Sequence, residues 1–178
     1  MNIVEKIISN FINNKSLYIG EKITISEHMI QSAMNAEKAK SSNNLICSCL
    51  LHDYGHFILE NPDELVKKNQ DGKHEDIGYE YLKKFFKEDV VEPIKYHVTA
   101  KRYLSKDKKY FNLLSDASKI SLNLQGGTLN KKKSKEFEKK DFFKQTIKLR
   151  KFDEVAKSTD IKMKSIIEYK NLLSSHLL

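Results

Sequence analysis

Helical periodicity runs through this chain almost without interruption, and it limits the possible folds more than any other feature. Apolar residues recur at three- and four-residue spacings in segment after segment, and 178 residues hold only two prolines and six glycines. Period-two alternation is rare, and no Asn-Gly or Asp-Gly pair sits between alternating runs to mark a hairpin. The segment "TISEHMIQSAMNAEKA" opens with Thr24 and places Glu27 three residues later, a capping box. Ile25, His28, Met29 and Ser32 share one face of it. "NNLICSCLLHDYGHFIL" reads as the most apolar helix and carries His52, Asp53 and His56. "HEDIGYEYLKKFF" sets His74 on a stripe with Ile77, Gly78, Tyr81 and Leu82. "VEPIKYHVTAKRYL" has Pro93 near its start, where a helix tolerates it, and His97 beyond. "YFNLLSDASKISLNLQGG" stops at Gly126-Gly127. "KEFEKKDFFKQTIKLRKFDEVAKS" reads as one long amphipathic helix, and a last helix covers about residues 159–175. The expectation is an all-α protein: one compact helical bundle over residues 1–178 with roughly seven to nine helices.

Composition narrows the function classes. Charged residues make up 31% and hydrophobic residues 39%, too apolar for a disordered chain. No run approaches the roughly 18 apolar residues that span a bilayer. The start, "MNIVEKIISNFINNK", has Glu5 inside its apolar part and no small-residue cleavage site, so it reads as an amphipathic first helix. The expected compartment is the cytoplasm, with no membrane partner. Cys47 and Cys49 point in different directions on a helix, which suits free buried thiols in a reducing environment. The net charge of +8 raises nucleic acid as a partner. The lysines, however, are spread along the chain, and the densest run, "NKKKSKEFEKK", is interleaved with Glu136 and Glu138. No recognition-helix or aromatic-basic pattern accompanies them, so no nucleic-acid partner is expected. The charge is compatible with a small anionic substrate.

The chemistry is carried by histidine. Five of the six histidines, His28, His52, His56, His74 and His97, fall in the apolar-periodic helices, while His176 near the end is expected to be exposed. A core holding several unmatched imidazoles would carry a large desolvation cost. A metal site removes that cost, because neutral imidazoles and a carboxylate are its ordinary ligands.

The order of these residues, His28, then His52-Asp53, then His74 and His97, then a late carboxylate, resembles the HD superfamily. The late ligand is taken as Asp153 in "LRKFDEVAK", with Asp160 and Glu154 as competitors. In that reading His52 binds one metal, Asp53 bridges to a second, and His74 and His97 hold the second. More narrowly, "YIGEKITISEHMIQ", "LLHDYGHF", "HVTAKRYL", "LSDASKISLNLQGG" and "LRKFDEVAK" together resemble the mixed-valence di-iron oxygenase branch, over about residues 18–157. The resemblance implies two irons, Fe(II)/Fe(III), with O₂ and a small phosphonate as partners. It implies cleavage of the C–P bond of a 1-hydroxyphosphonate, 2-amino-1-hydroxyethylphosphonate or a close analogue, to a carboxylate (glycine) and inorganic phosphate. Asp53 and His56 are the residues placed at the reacting centre. Lys101, four residues after His97, and Arg150, three before Asp153, each lie one helical turn from a ligand and are expected to meet the phosphonate. His56, Ser118, Ser121 and Gln125 complete its cradle, while Tyr18 and Glu21 close over the site and Glu21 meets the amine. The alternatives are a metal-dependent HD phosphohydrolase acting on a nucleotide or small phosphate ester, and a non-catalytic helical domain of the same type. The oligomeric state is not legible.

Overall fold

The computed structural model describes residues 1–18, 20–59 and 70–178. Ten α-helices and two short 3₁₀ turns occur among them: α1 (Ile3–Asn13), α2 (Ile25–Lys38), α3 (Asn43–Leu51), a 3₁₀ turn (Tyr54–Phe57), α4 (His74–Leu82), α5 (Glu88–Leu104), α6 (Lys108–Leu113), α7 (Asp116–Leu124), α8 (Lys131–Glu138), α9 (Phe143–Glu154), a second 3₁₀ turn (Ile166–Tyr169) and α10 (Lys170–Ser175). No strand forms among the described residues, only isolated bridges between Leu17 and Thr24 and between Phe86 and Leu177. No described helix is long and apolar enough to cross a membrane.

Helices α2, α3, α5 and α9 pack together at the centre. Met29, Ala33, Leu50, Leu51, Ile94 and Leu149, drawn from all four, are fully buried. Local chemistry starts these helices where the sequence indicates. Thr24 and Glu27 form the expected capping box on α2. Ser42 caps α3 and Ser115 caps α7. Gly126 and Gly127 close α7 with φ of 92° and 65°. Helix α5 begins at Glu88, with Glu88 and Asp89 in its first turn, so Pro93 lies one turn deeper than expected.

Four expectations are corrected. The apolar segment carrying His52 is not one helix: α3 stops at Leu51, Asp53 adopts φ −101° and ψ 14°, and a 3₁₀ turn follows. The segment "KEFEKKDFFKQTIKLRKFDEVAKS" divides into α8 and α9. Phe137 and Phe143 pack edge to face with ring centres 5.0 Å apart. Six residues along one helix would leave them about 120° apart around its axis, so the break lets both join Tyr103 and Leu129 in one cluster. The last helix is shorter than 159–175. The Ala156 carbonyl accepts from His28, and Gln31 takes both the N–H and the carbonyl of Ser158. Helical structure resumes at Ile166, where Ser165 and Glu168 form a capping box. His176 is buried: its Nε2 lies 2.9 Å from Asn44 Oδ1, and the Leu178 N–H donates to the Phe85 carbonyl at 2.9 Å.

One backbone contact positions the site. The 3₁₀ turn and α4 touch with no side chain between them at Gly55 and Gly78. A Cβ on Gly55 would lie 1.9 Å from the His74 carbonyl oxygen. That approach brings His74 beside Asp53.

Candidate metal centre and adjoining pocket

The four central helices and α4 each deliver a side chain to one point. His28 comes from α2, His52 from the residue after α3, His97 from α5, Asp153 from α9 and His74 from the first position of α4. Asp53 sits between them. The ligand atoms form two groups, His28 with His52 and Asp153, and Asp53 with His74 and His97, each within 4.8 Å of one another. Asp53 joins the groups. Its Oδ1 lies 3.2 Å from His74 Nε2 and 3.3 Å from His97 Nε2. Its Oδ2 lies 3.4 Å from His52 Nε2 and 3.6 Å from His28 Nε2. Because Asp53 lies just beyond the end of α3, its carboxylate is not bound to the 100°-per-residue rotation from His52 that helix continuation would impose.

The hydrogen bonds set the tautomers. A carbonyl only accepts, so Nδ1–H of His28 donates to Ala156, that of His52 to Cys49, and that of His97 to Ile94, at 2.9, 2.8 and 2.7 Å. With Nδ1 so occupied, Nε2 of His28, His52 and His97 faces inward, the Nε2 atoms of His28 and His52 lying 3.2 Å apart and those of His74 and His97 3.1 Å apart. Two ring nitrogens so placed would repel as bare lone pairs and need positive charge between them, a proton or a metal ion. Asp153 Oδ1 adds a buried acceptor with no hydrogen-bond donor. Burial alone would raise the carboxyl groups of Asp53 and Asp153. Surrounding His52, His74 and His97 hold Asp53 well below the usual range, and Arg150 and His52 do the same for Asp153. Burial pulls the His52 imidazole down, yet Asp53 and Asp153 outweigh it and push it up to about 9. Anionic carboxylates and inward imidazole nitrogens, all oxygen and nitrogen donors, fit two divalent or trivalent cations sharing the Asp53 carboxylate.

A cavity of about 450 Å³ opens beside this cluster. His74 reaches its wall, as do Tyr18, Glu21, His56, Ser118, Ser121 and Gln125. Ala117, Ile120 and Leu124 supply apolar surface. Tyr18 stacks on His28, with ring centres 4.0 Å apart and planes 11° apart, and His56 stacks on His74 at 4.2 Å. Burial, then the charge of His74, push the His56 imidazole down to about 3, so it is neutral. Lys101 stands behind the wall and donates to Ser121 Oγ at 2.5 Å and to Gln125 Oε1 at 3.0 Å. Burial, then the charge of Arg150, lower its ammonium to about 7. Arg150 pairs with Asp153 and Glu154, and its Nε donates to Tyr110 at 2.9 Å.

Comparison with known proteins agrees with this geometry. The HD domain family model matches residues 25–126. Over 145 residues the chain is 43% identical to the [1-hydroxy-2-(trimethylamino)ethyl]phosphonate dioxygenase (glycine-betaine-forming) of Leisingera caerulea, covering 81% of this chain and 74% of that protein. Over 162 residues it is 38% identical to the hydroxymethylphosphonate dioxygenase of Gimesia maris, covering 90% and 81%. This chain belongs to the HD-domain phosphonate dioxygenase family. As a member of that family it is an oxidoreductase, and its six candidate ligands converge as the sequence led one to expect. Asp160 and Glu154 are outside the ligand groups: Asp160 is exposed, and Glu154 pairs with Arg150 and Lys157. Of the eight residues expected around a phosphonate, six line the cavity. Lys101 reaches it through Ser121 and Gln125, and Arg150 faces the candidate ligand Asp153. Two residues escaped the sequence reading. Gly55 matters only through its contact with α4. Lys157 lies four residues after Asp153, a spacing that would have flagged it on a helix, but α9 ends at Glu154.

Proposed function

We propose that this protein uses two irons at the Asp53-centred cluster, a mixed-valence Fe(II)/Fe(III) pair, to cleave the C–P bond of a small 1-hydroxyphosphonate with O₂. The substrate class is 2-amino-1-hydroxyethylphosphonate or a close analogue. One substrate and one O₂ give a carboxylate, glycine in the parent case, and inorganic phosphate. The observation that carries the reading is the cavity beside the shared carboxylate, which has donors for a phosphonate at one side and the Glu21 carboxylate at another. Both relatives are named for hydroxyphosphonates, one with a quaternary amine and one with none, which supports the class.

Iron held by His28, His52, Asp53, His74, His97 and Asp153 supplies the redox chemistry with O₂. The chain's own residues bind and orient. Ser118 and Gln125 donate to phosphonate oxygens, Ser121 completes the wall with its hydroxyl on the Ser118 carbonyl, and Lys101 stands behind them as the compensating charge. Arg150 adds positive potential and fixes Asp153 by holding its Oδ2. Neutral His56 donates one hydrogen bond from the side of His74. Tyr18, lying flat on His28, shields the cluster from water, and Glu21 takes the substrate ammonium. Two buried free thiols support the cytoplasm as the compartment.

The test is phosphate release from 2-amino-1-hydroxyethylphosphonate and hydroxymethylphosphonate by the iron-loaded protein, with O₂ consumption followed in parallel. One O₂ consumed per phosphate released is expected. Phosphate released at an undiminished rate under strict anaerobiosis would instead make the protein a hydrolase.

A further inference from the structure

Lys157 sits where three parts of the chain meet at the pocket wall. Its Nζ lies 3.0 Å from Ser115 Oγ and 2.9 Å from Ser118 Oγ, at the start of α7. It lies 3.1 Å from Glu154 Oε1, at the end of α9, and 3.2 Å from Glu21 Oε1, on the loop before α2. An ammonium has three N–H bonds. Ser115, Ser118 and Glu154 take all three. Glu21 Oε1 therefore feels the charge of Lys157 but receives no proton from it, and it is a buried acceptor with no hydrogen-bond donor. The side chain that bears it lines the cavity. Its loop is also held by the Tyr18 N–H to the Ile23 carbonyl and the Glu21 N–H to the Tyr18 carbonyl, both at 2.8 Å, by the bridge between Leu17 and Thr24, and by Gly20, at φ 74°, packed on Ala117 of α7.

We propose that Lys157 is a positioning residue for amine selectivity. It holds the Glu21 carboxylate at the cavity wall by charge on Oε1, while its own protons stay on Ser115, Ser118 and Glu154, so the carboxylate has no proton donor of its own and can take an N–H of the substrate. The matching group is a protonated primary or secondary amine. A trialkylammonium has no N–H to donate and meets the carboxylate through charge alone. This inference rests on the pocket being a hydroxyphosphonate site.

The experiment compares wild type, Lys157→Met, Lys157→Arg, Glu21→Gln and the Glu21→Gln/Lys157→Met double variant. The readout is the ratio of kcat/KM for 2-amino-1-hydroxyethylphosphonate to that for hydroxymethylphosphonate. Lys157→Met is expected to lower the ratio about ten- to a hundredfold, mainly through KM, which is the worth of one hydrogen bond to a charged group. Lys157→Arg keeps the charge and restores most of the ratio. In the Glu21→Gln background Lys157→Met changes it by less than about twofold, because the two residues act as one unit. Equal losses on both substrates, or additive losses in the double variant, overturn the proposal. Amide hydrogen exchange over residues 14–24 gives a readout independent of turnover. It should rise in Lys157→Met and stay at the wild-type level in Lys157→Arg, and unchanged exchange in Lys157→Met overturns the positioning of Glu21. If wild type turns over neither phosphonate while exchange still follows Lys157, the substrate reading fails and the hold on Glu21 stands.

Discussion

Asp53 is the side chain on which both ligand groups depend, since each of its oxygens faces a different pair of imidazoles. Asp53→Ala should therefore abolish binding of both metals, not one. Iron measured after anaerobic reconstitution should fall below about a tenth of the wild-type content; the contribution of a bridging ligand to both ions is the reason. One iron retained per chain would show that the two groups bind independently. Lys101 makes a prediction about pH. Burial lowers its ammonium to about 7, so at about pH 8 it is mostly neutral in the free protein. A bound phosphonate dianion favours the charged form and raises that value again. Binding should then take up a proton, and affinity should fall as pH rises above about 7. Calorimetric titration in two buffers with different protonation heats measures the uptake, which Lys101→Met should remove.

Among the elements, the contact between the 3₁₀ turn and α4 is the least tolerant. Gly55→Ala would drive a methyl group into the His74 carbonyl, where a Cβ has only 1.9 Å. Backbone cannot yield as a flexible side chain would, so α4 must shift and carry His74 away from Asp53. The variant should be destabilised by about 1–3 kcal/mol, the ordinary cost of overpacking, and should bind the second metal more weakly than the first. Urea unfolding with metal titration checks both. Wild-type affinity at both sites would mean that α4 does not position His74.

Across the molecule, the C-terminal segment closes the core over the central helices. Leu173 is fully buried, Tyr169 and Ile166 nearly so, and the Tyr169 hydroxyl donates to Glu37 at 3.2 Å. Leu173→Ala should cost about 2–5 kcal/mol, read as a lower urea midpoint with an unchanged slope. Its effect on turnover should be small at temperatures where the variant is folded, because no ligand or pocket residue lies on that segment. Loss of bound metal in the folded variant would show that the segment also shapes the site.

The sequence was enough for the chemistry and the class of fold. Periodicity, capping signals and scarce turn residues point to helices, and the desolvation cost of several imidazoles in apolar helices points to a cation among them. Both follow from local patterns, and the resemblance to the HD superfamily then selected His28, His52, Asp53, His74, His97 and Asp153, with Asp160 and Glu154 competing for the last place. What needed the tertiary structure was direction. Local pattern extended the α3 helix through His52 and Asp53, while packing ends it at Leu51 and aims Asp53 at both ligand groups. Spacing on α9 pointed Arg150 at the substrate, while burial beside Asp153 and Glu154 turns it to the ligand. His176 reads as a free end, yet bonds formed with Asn44 and Leu172 bury it. The same holds for Lys157, whose partners come from three segments far apart in sequence. Which atom a buried charge faces depends on long-range contacts, and a pattern confined to neighbouring residues carries no record of them.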